Sequence, residues 1–244
     1  MEYLDTKVLE SLMIDESMIA TESFGDKLKA VANKALELAK TFFKALINMV
    51  RKLINTLKEK ARIKKEIGKD AIKIDVGFIT KCLNDARQYA NHTQSIINIM
   101  WLPNNKSPED IDSDIKRHVR ALEELKRNIT SCRNLIYNHY GDKNCYIDAD
   151  AADRILKECF ELNQQFEKAY ERFGKIRRVE IFTALKDEGN EQIHRTIAEN
   201  ANYFANGIED VISAFTTIQK CITNATYDYG DKSAKVIDTR MATR

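Results

Sequence analysis

The sequence predicts an all-α protein, an up-down helical bundle with a long N-terminal basic amphipathic helix. Three observations lead to this prediction. Apolar residues recur at steps of three and four, which is the spacing of one face of an α-helix. The chain has only 8 Gly and 2 Pro in 244 residues, too few turn formers for many short strands. With 43% apolar and 31% charged residues, it can bury a core and keep a polar surface.

The charge pattern divides the chain into four regions. These are an acidic leader at 1–23, a basic amphipathic helix at 24–67, a helical bundle at 68–228 and a frayed tail at 229–244. The leader has six acidic residues and one lysine, a net charge of −5. The stretch 24–65 has twelve basic and three acidic residues, a net charge of +9. This charge break predicts that the leader either masks the basic segment that follows or directs it to its location.

The basic helix has the clearest periodicity. Ser23 can cap its start, because a serine oxygen accepts a hydrogen bond from the first turn, and Gly68 is predicted to interrupt it. Its apolar face comprises Phe24, Leu28, Val31, Leu38, Phe42, Phe43, Leu46 and Val50. Its basic face, the candidate contact surface, comprises Lys27, Lys29, Lys34, Lys40, Lys44, Arg51, Lys52 and Lys58.

Two further helices follow at 74–102 and from Pro108 to about Tyr140. Ser107 before Pro108 is a strong start signal, since proline suits the first helical position and serine the cap. Gly141 is expected to end the third helix.

The fourth helix is predicted to begin at Asp148 or Asp150 and to close or kink at Gly174. A short helix at 176–187 and a last long helix at about 191–227 complete the prediction. The second, third, fourth and last helices would form the bundle. The basic helix would pack beside this bundle or project from it.

No residue pattern indicates a catalytic, metal or cofactor site. The four histidines form no H-E-x-x-H arrangement and are interpreted as polar-face or interhelical residues. Asp110, Asp112 and Asp114 resemble the start of a calcium loop, but Ile115 and Ala121 replace the required Gly and Glu. The five cysteines are widely spaced and are interpreted as small core residues. The sequence therefore predicts no metal, no cofactor, no small-molecule substrate and no enzyme.

The basic helix has three interpretations. It could be an ordinary amphipathic helix that packs on the bundle and leaves its lysines solvated. It could lie on an anionic membrane, with Phe42 and Phe43 inserted and the lysines at the headgroups. It could also neutralise the phosphates of packed DNA without reading its sequence.

The leader contains a pattern that bears on function. Ile14-Asp15-Glu16 precedes Ser17, and Ile19-Ala20-Thr21-Glu22 precedes Ser23. This leader resembles the propeptides of internal head and prohead-core proteins of large tailed bacteriophages. A prohead protease cuts those proteins after Glu in an (Ile/Leu)-x-Glu context. The resemblance covers about 25 to 40 residues and implies cleavage after Glu16 or, with one extra residue in the pattern, after Glu22.

The resemblance implies a non-enzymatic virion structural protein matured by removal of its leader. A cut after Glu22 removes a net −5 and moves the chain from +2 to +7, which favours phosphate contacts. The implied partners are other virion proteins and packaged DNA, and the implied location is the virion, assembled in the bacterial host cytoplasm. The alternatives are a membrane-active protein with an interfacial helix and a helical adaptor that binds a partner protein.

Overall fold

The structure, a computed structural model, describes residues 24–63, 66–101, 107–176 and 191–228 and confirms the all-α class. Its five long helices are α1 (Phe24–Lys60), α2 (Val76–Trp101), α3 (Pro108–Tyr140), α4 (Ala149–Lys175) and α5 (Glu191–Asn224). Three short strands, β1 (Ile72–Lys73), β2 (Cys145–Asp148) and β3 (Thr226–Asp228), lie between or after them. The predicted leader, the short helix after residue 176 and the tail fall outside the described residues.

The boundaries of α3 and α4 confirm the predicted caps. The Ser107 side chain accepts a hydrogen bond from the Asp110 backbone N–H, at 3.2 Å, and Pro108 opens the helix. Gly141 caps the other end and donates its N–H to the Tyr137 carbonyl oxygen. Asp148 caps α4 by accepting the backbone N–H of Ala151, at 2.7 Å.

The first helix is shorter than predicted, because α1 ends at Lys60 and Gly68 lies in the connection to β1. Leu57 is the last buried residue of its apolar face. Beyond it the sequence is dominated by charged residues, so further helical turns would bury little apolar surface. The chain turns instead, with Arg62 N–H donating to the Glu59 carbonyl oxygen.

The helices alternate in direction along the chain. On α4, Glu167 meets Arg51 of α1 and Phe160 meets Lys58, so the two helices are antiparallel. Pairs of cross-helix contacts give the other directions. Helices α2 and α4 are parallel, as shown by Arg87–Glu158 and Asn91–Gln165. Helices α2 and α3 are antiparallel, as shown by His92–His118 and Phe78–Cys132. Helices α3 and α5 are parallel, as shown by Thr130–Asp210 and Arg133–Ser213. Helices α1, α3 and α5 therefore run one way, and α2 and α4 run the other.

The basic helix α1 is one of the helices that form the core of the bundle. Buried residues of α1 belong to the same hydrophobic cluster as those of the other four helices. Within the described residues, α1 packs most extensively on α4 and α5. Of the two predicted arrangements, α1 packs beside the other helices and does not project from them, so the bundle has five helices, because the apolar face of α1 supplies part of the shared core.

A small parallel sheet at one end of the bundle was not predicted. Its strand order is β1-β2-β3, with Ile72 opposite Cys145 and Tyr146 opposite Thr226. The strands follow α1, α3 and α5, the three helices that run in the same direction, and this explains why the strands are parallel. The sheet also corrects the end of the last helix, which stops at Asn224 so that Thr226–Asp228 can pair with β2.

Candidate functional site

The apolar face of α1 is committed to the core. Phe42 and Phe43 are 0% and 1% exposed. The Phe43 ring packs edge-on against Phe166 and Phe173 of α4, with centroids 5.9 and 5.2 Å apart, and Phe42 packs in the same way on Tyr89 of α2. Leu38, Leu46 and Val50 are buried as well. The side chains of Phe24, Leu28 and Val31 lie outside the described residues.

This burial conflicts with the predicted membrane alternative in one respect. Insertion into a bilayer requires Phe42 and Phe43 to be exposed, whereas the folded bundle surrounds both rings. Removing α1 from the bundle would expose the apolar faces of its neighbours α4 and α5 to water. In the part of the chain that the structure describes, no helix is long and apolar enough to cross a membrane.

The basic contact surface is less charged than its sequence suggests. Lys40 pairs with Glu37 at 2.8 Å, and Arg51 pairs with Glu167 of α4 at 2.6 Å. The arginine lowers the pKa of Glu167, mainly through this hydrogen bond. Lys58 lies over the ring of Phe160 on α4, at 5.5 Å from its centroid. These three cations therefore already interact within the bundle.

Two basic residues of the contact surface are available to a binding partner. Lys44 and Lys52 are exposed, and neither forms an ion pair within the described residues. They are eight positions apart on α1, which places their Cα atoms about 12 Å apart along the helix axis. Asn48 and Asn55 are exposed on the same side. Lys34 is half-buried, and the side chains of Lys27 and Lys29 lie outside the described residues.

The predicted cleavage positions lie outside the described residues. Glu16, Ser17, Glu22 and Ser23 all precede α1, whose first residue is Phe24. Phe24 lies one residue beyond the second candidate bond, Glu22–Ser23. Cleavage at either position would leave all of α1 on the mature chain.

A groove of about 400 Å³ lies at the carboxyl end of the sheet, between the first turns of α2 and α4. Its charged lining residues are Lys73, Asp75, Asp148, Asp150 and Arg154. In proteins with parallel α/β sheets, ligands bind at this edge of the sheet, so the groove is a second candidate site.

Two of the three carboxylates of the groove, those of Asp75 and Asp148, stabilise the fold. The Asp75 side chain accepts the Gly77 N–H at 2.7 Å, and Asp148 caps α4 while pairing with Lys73. Burial raises the pKa of Asp148, but Lys73 and the capped N–H outweigh it, and the net pKa is lowered. Among the described residues, no group of three or more His, Cys, Asp or Glu side chains could hold a metal ion.

Two close pairs of side chains were not found from the sequence. His92 of α2 and His118 of α3 approach to 2.7 Å between their Nδ1 atoms. Cys132 of α3 donates its thiol to the Phe78 carbonyl oxygen of α2 at 3.4 Å, and the interaction of Cys82 with Cys132, together with burial, raises the pKa of Cys82. In each pair the residues are distant in sequence, so only the packing of α2 on α3 brings them together. All five cysteines are buried and free, which confirms their interpretation as core residues.

The chain matches no protein-family model, no curated protein and no solved structure.

Proposed function

We propose that this protein is a non-enzymatic structural protein of a bacteriophage virion, of the internal head or core type. Its acidic leader is removed during maturation, and the outer face of α1 then contacts packaged DNA or other capsid components. The leader pattern Ile14-Asp15-Glu16 before Ser17 supports the phage assignment by resemblance. The charge break at residue 23 supports the maturation step, because leader removal changes the net charge from +2 to about +7.

The observation that carries the proposed contact is the orientation of α1. Its apolar residues are buried in the bundle, so the exposed Lys44 and Lys52 face away from the core on a rigid helix. Cations fixed in this way can neutralise phosphates without reading base sequence. Because Lys40 and Arg51 are already paired, the contact rests on few charges, and we expect weak, salt-sensitive binding.

The DNA contact is tested with the full chain and the chain starting at Ser23, using a random-sequence duplex at low salt. We expect the shorter chain to bind more tightly. Lys44→Glu combined with Lys52→Glu should weaken binding and reduce the slope of log K against log salt by about 2, since each lysine meets about one phosphate. Equal binding by all forms, or no binding at low salt, would exclude the DNA contact.

A matched control carries the same change of charge on another side of the bundle. Arg120 and Arg127 are exposed on α3, which packs mainly on α2 and α5. Arg120→Glu combined with Arg127→Glu should leave the salt slope near its wild-type value. If this control weakens binding as much as the α1 variant, net charge governs binding and α1 has no special role.

Leader removal is tested by the intact mass and N-terminal sequence of the protein from its native source. A start at Ser17 or Ser23 supports maturation by cleavage. A start at Met1 or Glu2 would contradict it and would leave the basic helix as an ordinary packed helix.

A helical adaptor is the second candidate, favoured by exposed apolar side chains near the sheet. Ile63 and Ile67 in the connection after α1 and Ile72 on the edge strand β1 are each more than one third exposed. A protein partner could cover these residues. This candidate predicts a stoichiometric partner in pull-downs and no DNA binding.

A further inference from the structure

His92 and His118 form a close pair that the proposed function does not use. His92 lies on α2 and His118 on α3, both in the half of the bundle away from the sheet. Their Nδ1 atoms are 2.7 Å apart, their ring centroids 5.0 Å apart, and the ring planes are tilted by 60°. Both side chains are half-buried, so a small ion can reach them from solvent.

The geometry favours two neutral rings. At this distance one Nδ1 donates a hydrogen and the other accepts it. If both rings were fully protonated, two positively charged imidazolium groups would be in contact, which is unfavourable. Burial and the nearby Arg117 hold the pKa of His92 below its usual range. Neutral imidazole is the form that binds metal ions, and its proton can move to Nε2 when Nδ1 takes a metal.

We propose that His92 and His118 bind a divalent transition-metal ion of the zinc, nickel or copper class through their two Nδ1 atoms. A tetrahedral zinc ion with N–Zn distances of about 2.0–2.1 Å separates two nitrogens by about 3.3 Å. The pair must therefore open by only about 0.6 Å, which small side-chain rotations supply. The bound ion would link α2 to α3, in addition to the function proposed above and independently of it.

The surroundings define what kind of ion fits. No third His, Cys or carboxylate forms a metal-binding group with the pair in the described part of the chain. We expect water to occupy the remaining coordination positions. Two imidazole ligands favour nickel, copper and zinc over calcium and magnesium, which prefer oxygen. Arg117 opposes a second cation, but its guanidinium is paired with Asp114 at 2.9 Å.

Calorimetric titration of the full chain with NiCl₂ and with ZnCl₂ at neutral pH tests the site. We expect one ion per chain, and a loss of affinity of about tenfold or more in His92→Gln and in His118→Gln, because each variant loses the chelating partner. His139→Gln is the matched control: His139 is also on α3, but it stacks on Phe78 near the sheet. It should bind as the wild type does.

A second measurement uses the wild-type protein alone, so it does not depend on whether a variant folds. Of the four histidines, two should show ring NMR signals broadened selectively by substoichiometric paramagnetic Ni²⁺. Binding should also weaken as pH falls below about 6.5, when protons compete for the imidazoles. No binding to the wild type, equal binding by all variants, a loss in only one of the two pair variants, or broadening of all four histidines equally would overturn the proposal.

Discussion

Replacing Phe43 by Ala tests whether α1 is held in the bundle core. The ring is 1% exposed and packs edge-on against Phe166 and Phe173. Removing a fully buried aromatic side chain costs about 3–5 kcal/mol, from lost burial and the cavity left behind. Each lost edge-on pair accounts for about 0.5–1.5 kcal/mol of this. For a domain of this size, the loss corresponds to a melting temperature lower by about 6–20 °C.

Urea denaturation followed by circular dichroism at 222 nm measures this change in the free energy of unfolding. Lys44→Ala, at the next position but exposed, is the control and should change stability by less than about 0.5 kcal/mol. Phe43→Leu keeps most of the side-chain volume and should cost about 1.5 kcal/mol, so it remains measurable if the alanine variant does not fold.

The opposite result would refute the packing of α1. If Phe43→Ala unfolds at the wild-type urea concentration and instead loses binding to anionic liposomes, the ring serves a membrane contact and not the core. The membrane alternative would then regain its support. If Phe43→Ala has the wild-type urea midpoint and liposome binding is unaffected, the buried position of Phe43 would also be contradicted.

Three further predictions concern a close packing contact, a helix cap and pH. Gly207→Ala should destabilise the protein by about 1–3 kcal/mol in thermal melts, because the added Cβ would lie 1.9 Å from the Tyr89 hydroxyl oxygen. Combining it with Tyr89→Leu removes this clash and should recover part of the loss. Ser107→Ala should cost about 1 kcal/mol in urea denaturation, since it removes the N-cap of α3. The lowered pKa of Asp148 predicts a contribution to stability that is present above the unfolded pKa of about 3.9 and is lost as pH falls through the lower folded value. Asp148→Asn should therefore reduce the acid dependence of the melting temperature, and an unchanged pH profile would contradict this.

The sequence predicted the helices well where local signals are strong. Ser107 and Pro108 define the start of α3 through hydrogen bonding and a fixed φ, both of which depend on neighbouring residues alone. Asp148 marks the start of α4 for the same reason. The apolar face of α1 was also found in advance, because helical spacing is visible in any window of the chain. The end of α1 was misplaced, since fraying helix ends depend on what the bundle can still bury.

The sheet and the site residues needed the tertiary structure. Strands of two to four residues carry too short a pattern to be distinguished from a loop. Their pairing joins residues some seventy to eighty positions apart, and no local propensity encodes such a pairing. His92 and His118 likewise meet only across two helices. The partial neutralisation of the basic surface was missed because Glu167 reaches Arg51 from α4.

By itself, the sequence determined the all-α class, the long helices and their apolar faces, and the charge break between leader and basic helix, because periodicity, capping and net charge are local properties of the chain. Tertiary packing alone decided that α1 belongs to the core, which cations it leaves exposed, and which histidines and cysteines become neighbours. The physical reason is that burial and contact are set by how the five helices pack against one another, and that packing is a property of the whole chain.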